Sequence, residues 1–165
     1  MPCTSPPPPI RTSGNATLSA YLPPDGAVGL VGFGRGWQFV TSIGSVLDIR
    51  PPVSQIRYFG DLDVNGLSIP VKAAAVAQSM ALPVVQPAVG LYRLLLTHGT
   101  SSEKSHDARH VTRAAASELA CWLPTDLRTP VIELLSRGSR IGQEWVGAEI
   151  LRTMSHHELD RLATE

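Results

Sequence analysis

The 165-residue sequence predicts an α/β fold, a small parallel sheet flanked by helices with a helical C-terminal part. Two observations predict it. Between residues 15 and 87, short apolar runs suited to strands alternate with stretches of helical spacing. Beyond residue 110 the pattern becomes wholly helical, in "VTRAAASELACWL", "DLRTPVIELLSRG" and "SRIGQEWVGAEILRTM".

The elements follow in order. Residues 1–14 hold five of the 14 prolines and predict a disordered leader, because proline lacks the N–H that regular structure needs. "NATLSAYLPP" (Asn15 to Pro24) reads as a short capped helix with a Pro-Pro stop. "AVGLVGFGRG" (Ala27 to Gly36) reads as a buried strand followed by a glycine-rich turn. "WQFVTSIGSVLDI" places Phe39, Val40, Ile43, Val46 and Leu47 on one helical face, and Arg50-Pro51-Pro52 ends it. "SQIRYFG" (Ser54 to Gly60) is the next strand, rich in β-branched and aromatic residues. From Leu67, "LSIPVKAAAVAQSMA" favours helix, with Pro70 expected in its first turn. "LPVVQP" is a third short strand, and "GLYRLLLTHG" is helix or strand. "SSEKSHDARH" is a polar loop or a charged helix start. The domain is expected over 15–152, with residues 153–165 as a helical tail in which Ser155 and Glu158 form a capping box.

Composition narrows the function classes. Basic and acidic residues balance at 14 each, so no global positive field marks the chain for nucleic acid, although a local basic groove is compatible with it. Two cysteines, Cys3 and Cys121, build no disulfide framework or zinc spacing, which predicts a reducing cytoplasm. Apolar runs of about ten residues fall short of the roughly 20 of a membrane span. Mean hydropathy of +0.06 predicts a soluble protein.

Acidic residues are unevenly placed. The first hundred residues contain only Asp25, Asp48, Asp61 and Asp63, so the Asp-x-Asp of "RYFGDLDVNGLSIP" stands out. In a parallel sheet, chemistry collects at the carboxyl ends of strands. Residues i and i+2 of an extended segment share a side, so both carboxylates can face one Mg²⁺, which takes one or two carboxylates, waters and a substrate phosphate. The alternative is a polar turn in which Asp63 or Asn65 caps the following helix. Two further stretches carry similar pairs of readings. "GFGRG" can offer backbone amides and Arg35 to a phosphate, or its glycines serve only a tight turn. "RIGQEWVGAEIL" places Arg140, Gln143, Glu144 and Glu149 on a helix with Ile141, Trp145, Ala148 and Ile150 buried. Arg140 and Glu144, at i and i+4, would then form a surface ion pair. The five histidines read as surface side chains, and Trp37, Trp122 and Trp145 as core.

"YFGDLDVNGLSI" resembles the second acidic motif of Toprim domains, in which a strand ends in Asp-x-Asp before a glycine and a helix. More closely, "GLVGFGRGW…IRYFGDLDVNGLSI…SRIGQEW" is similar to the C-terminal domain of the nuclease subunit of Wadjet plasmid-defence systems, often called JetD, over residues 14–152. The resemblance implies a Toprim-like fold and Mg²⁺- or Mn²⁺-dependent cleavage of double-stranded DNA, with recruitment by an SMC-like complex and scope for a homodimer. It makes Asp61 and Asp63 metal ligands and places Gln143 and Glu144 near the site. Glu144 then joins the catalytic set, and Gly34, Arg35, Gly36, Arg140 and Gln143 contact DNA or phosphate. The family also carries a first-strand glutamate. Here the corresponding place is "IRTSGNATLSAYL", with Gly14 before Asn15, and no Glu precedes Glu103. That departure suggests an N-terminally truncated copy with an incomplete catalytic set. Two other expectations follow: a non-catalytic Toprim-fold module that docks on an SMC-like partner or DNA, and a nucleotide- or phosphate-binding domain using the Gly32–Gly36 turn.

Overall fold

A computed structural model describes residues 36–103, 111–154 and residue 162. The expected leader, the Asn15–Pro24 helix, the Ala27–Arg35 strand and turn, and most of the tail lie outside the described residues.

The centre is a β-α-β unit. Strand β1 (Ile56–Tyr58) pairs in parallel with β2 (Val85–Pro87), in register Ile56 to Val85, Arg57 to Gln86 and Tyr58 to Pro87. Pro87 has no N–H for the ladder, and Ala88 N–H continues it to Tyr58 C=O at 3.0 Å. Helix α2 (Val64–Ser79) is the crossover that parallel pairing requires. The mixed α/β reading thus holds, with two-stranded sheets: a second pair, β3 (Ser102–Glu103) and β4 (Ser139–Arg140), is antiparallel.

Helix α1 (Gln38–Ser42) runs into a 3-10 segment (Ile43–Asp48) and packs on α2. Ile43 is buried there with Ile56, Ala73, Ala77 and Val85. Leu47 and Trp37 differ from expectation, at 46% and 44% exposed, and Lys72 sits over the Trp37 ring at 4.8 Å. The tightening to 3-10 geometry rotates Leu47 off the apolar face.

Helix α2 starts three residues earlier than its apolar spacing suggested. Pro70 is therefore its seventh residue, not part of the first turn. A mid-helix proline forfeits one backbone bond and costs about 3 kcal/mol in isolation. Burial of Leu67, Ile69, Pro70, Ala73 and Ala77 offsets it.

Helices α3 (Val89–His98), α4 (Arg113–Ala120) and α5 (Thr125–Ser136) complete the larger core, in which Tyr92, Leu95, Leu123, Val131 and Leu135 are buried. Trp122 packs against both cores and donates its indole N–H to Val85 C=O at 3.3 Å. The single helix expected over residues 139–154 is replaced by three pieces. These are β4, a 3-10 turn (Gln143–Trp145) and α6 (Ala148–Thr153). Gly138 takes a left-handed φ of +69° that ends α5, and Gly142 is extended, so helical phasing is lost before it begins. Trp145 accordingly lies 44% exposed rather than in the core.

Candidate acidic site at the end of β1

Strand β1 leaves the sheet through Phe59 and Gly60. Gly60 N–H has no strand partner and donates instead to Tyr92 Oη at 3.1 Å in a buried setting. Leu62 follows, fully buried, and exchanges two backbone bonds with Ile141: Leu62 N–H to Ile141 C=O at 2.9 Å, and the reverse at 3.2 Å. Because Leu62 turns into the core, the extended backbone sends its neighbours Asp61 and Asp63 the other way.

The two carboxylates are held differently. Asp63 is the N-cap of α2, 6% exposed, and its Oδ1 accepts Gly66 N–H at 2.7 Å. The capping alternative is thus realised by Asp63, where the helix's positive end also favours a carboxylate. Asp61 is half-buried, and its Oδ1 accepts Gln143 N–H at 2.9 Å. Gly66 allows the two turns to close, since a Cβ there would overlap the Asp61 carbonyl oxygen.

Two tyrosines that the sequence does not single out stand near the acidic turn, Tyr58 at the end of β1 and Tyr92 behind it in the core. Tyr58 packs between Phe39 and Trp122, with ring centroids 5.2 and 6.1 Å away. Burial, then the nearby charges of Asp61 and Asp63, push its hydroxyl from 10.0 up to about 12. Tyr92 is raised well above the usual tyrosine range, mainly by burial and then by Tyr58, while the Gly60 N–H it accepts lowers it. The alternation of β1 offers a signal for Tyr58; nothing local in the sequence marks Tyr92, which arrives from α3.

The other expected site residues are distributed as follows. Gln143 and Glu144 lie exposed on the 3-10 turn beside Asp61, and the Glu144 carboxylate folds back over Gly142, into the space a Cβ there would fill. Arg140 sits in β4, half-buried, opposite Ser102. No ion pair joins it to Glu144 among the described residues, because the helix that would have aligned them is absent. Gly36 is exposed with φ +51°, whereas Gly34 and Arg35 lie outside the described residues. Glu149 lines a cleft of about 490 Å³ with Leu94, His98, Ile150, Thr153 and Met154, apart from the acidic turn. His98 is exposed, and the other histidines lie outside the described residues.

The donor chemistry fits one hard cation. Two carboxylates are oxygen donors of the kind such a cation takes, and each accepts a backbone amide, Asp63 from Gly66 and Asp61 from Gln143. Among the described residues no group of three or more His, Cys, Asp or Glu side chains is arranged to hold a metal, so the acids do not form an all-protein cage. No helix among the described residues is long and apolar enough to cross a membrane. Compared with protein-family models, with curated proteins and with solved structures, the chain matches none.

Proposed function

We propose that the chain is a Toprim-type DNA endonuclease domain of the kind found in Wadjet plasmid defence, hydrolysing phosphodiesters of double-stranded DNA with Mg²⁺ or Mn²⁺. One observation carries the reading: the hydrogen bond from Gln143 N–H to Asp61. It joins the Asp-x-Asp turn to the Gln-Glu turn across 82 residues of sequence, which a mere helix cap does not require. Asp61 and Asp63 would hold the cation, which supplies Lewis-acid polarisation of a phosphoryl oxygen. The chain's own part is positional. The α2 cap fixes Asp63, the Gln143 amide fixes Asp61, and the exposed Gln143 and Glu144 side chains border the approach to both. An SMC-like complex as partner and a homodimer as assembly belong to the same proposal.

The test is a plasmid-nicking assay across Mg²⁺ and Mn²⁺ titrations, comparing the parent with Asp61→Ala and Asp63→Asn. Loss of cleavage and of metal affinity in both is expected. If both variants nick and bind metal like the parent, the ligand assignment is wrong.

A second reading is a non-catalytic Toprim-fold module that docks on an SMC-like partner or on DNA. It is favoured by the backbone N–H hydrogen bond that each carboxylate accepts and by the lack of a third acidic ligand among the described residues. It predicts partner capture without cleavage at any metal concentration. The nucleotide-binding alternative has only Gly36 of its turn among the described residues.

A further inference from the structure

The geometry points to Tyr58 as a phosphate-contacting residue, whose hydroxyl donates a hydrogen bond to a DNA phosphodiester oxygen held at the Asp61–Asp63 turn. The identity of the ligand rests on the nuclease reading above; the geometry does not.

Tyr58 is the last residue of β1, so its side chain stands where the strand hands over to the acidic turn. Its ring is clamped by Phe39 and Trp122, which leaves little freedom in where the hydroxyl lies. That hydroxyl reaches back over Gly60, and a Cβ on Gly60 would stand 2.6 Å from Tyr58 Oη. Glycine at 60 is thus the residue that leaves room for the oxygen. A phenylalanine at 58 would fill the same aromatic slot and would not ask for that room. Among the described residues the hydroxyl has no hydrogen-bond partner, unlike Tyr92, whose oxygen is taken up by Gly60 N–H. Gly60 directly precedes Asp61, so the hydroxyl lies over the backbone that leads into the acidic turn. A tyrosine hydroxyl keeps its proton at neutral pH and is a donor there. Two anionic side chains repel a phosphate unless a cation lies between them, and a neutral donor beside them adds attraction without competing for the metal.

Tyr58→Phe removes only the oxygen, and Gly60→Ala keeps the oxygen but displaces it. Mn²⁺ affinity is measured by calorimetry, and affinity for a short fluorescein-labelled DNA duplex by anisotropy in Ca²⁺. Thermal unfolding reports on the fold. The expected result is parental Mn²⁺ affinity in Tyr58→Phe with duplex binding weakened about tenfold, the size of one hydrogen bond to a charged group. Gly60→Ala weakens duplex binding in the same direction. Tyr92→Phe, which alters the buried hydroxyl, lowers stability and leaves duplex affinity unchanged. The proposal is overturned if Tyr58→Phe binds the duplex like the parent, if its Mn²⁺ and duplex affinities fall together, or if the parent does not bind the duplex. Should Gly60→Ala not fold, Tyr58→Phe decides alone. Plasmid nicking by the parent is scored separately: a parent that binds duplex but never nicks removes the nuclease reading and leaves the Tyr58 contact standing.

Discussion

Gln143 N–H donates to Asp61 Oδ1 at 2.9 Å, so a carboxylate at the end of β1 is fixed by a turn 82 residues further along the chain. The bond sits beside the Leu62–Ile141 pair, and the three hydrogen bonds together pin the Gly142–Trp145 turn to the sheet's carboxyl end.

Asp61→Ala removes the acceptor of the Gln143 amide. Faster hydrogen exchange at Gln143 is expected, with a loss of about 1 kcal/mol in stability for a partly exposed bond. Asp61→Asn, which keeps a carbonyl acceptor, should retain most of the protection. Exchange at Gln143 measured by NMR checks both.

Asp63 separates its two roles by substitution. Asp63→Ala should cost about 1 kcal/mol through loss of the α2 cap, whereas Asp63→Asn, a good cap itself, should unfold near the parental midpoint. If Asp63 also binds a cation, Asp63→Asn loses Mn²⁺ affinity while keeping stability. A stable Asp63→Asn protein with parental Mn²⁺ affinity would leave the residue as a cap alone.

Gly66→Ala sets helix propensity against close packing. Alanine gains about 1 kcal/mol inside a helix. Here its Cβ would overlap the Asp61 carbonyl, a backbone atom that cannot rotate away. Overpacking of this kind typically costs more than propensity returns, so a net loss of about 2 kcal/mol is expected in denaturant titration.

Alkaline pH should weaken the fold through Tyr58 and Tyr92. Both hydroxyls are raised above the ordinary value of 10.0, so the folded state holds their protons more tightly than the unfolded chain does. Their stabilising contribution is therefore complete below pH 10 and declines as the pH climbs toward 12 and beyond. Thermal midpoints followed across this window should fall less steeply for Tyr58→Phe than for the parent. Tyr92→Phe should also be less stable at neutral pH by about 1–3 kcal/mol, because Gly60 N–H is then buried without an acceptor.

Much of the central unit was legible from residue types. Ile56–Tyr58 and Val85–Pro87 declare themselves by apolar and β-branched content between turn residues, and the alanine-rich stretch after Leu67 can only be helix. Asp61 and Asp63 were visible because acidic residues are scarce before them. What spacing could not supply was the partner of each. Ile141 and Gln143 meet Leu62 and Asp61 through backbone bonds, which leave no trace in side-chain pattern. For the same reason, side-chain spacing predicts one long helix over residues 139–154. Its apolar spacing is genuine, but glycines at 138, 142 and 147 let tertiary pairing win over local propensity. Tyr92 stayed hidden for a related reason: an aromatic on an apolar helix looks like packing whether or not its oxygen holds a strand end.

The Leu62–Ile141 pair also works as a vernier between distant parts of the gene. Successive residues of an extended segment face opposite ways, so a slip of one residue there would set Arg140 or Gly142 opposite Leu62 and take Ile141 out of the core. A single-codon deletion between Gly138 and Gly142, where Ser139 and Arg140 form β4 and Ile141 is buried, would therefore break the pairing that holds a strand exit some eighty positions upstream. Loop-length changes in that short stretch should be among the least forgiving in the chain, while the Gln143, Glu144 and Trp145 side chains can vary without disturbing the pairing.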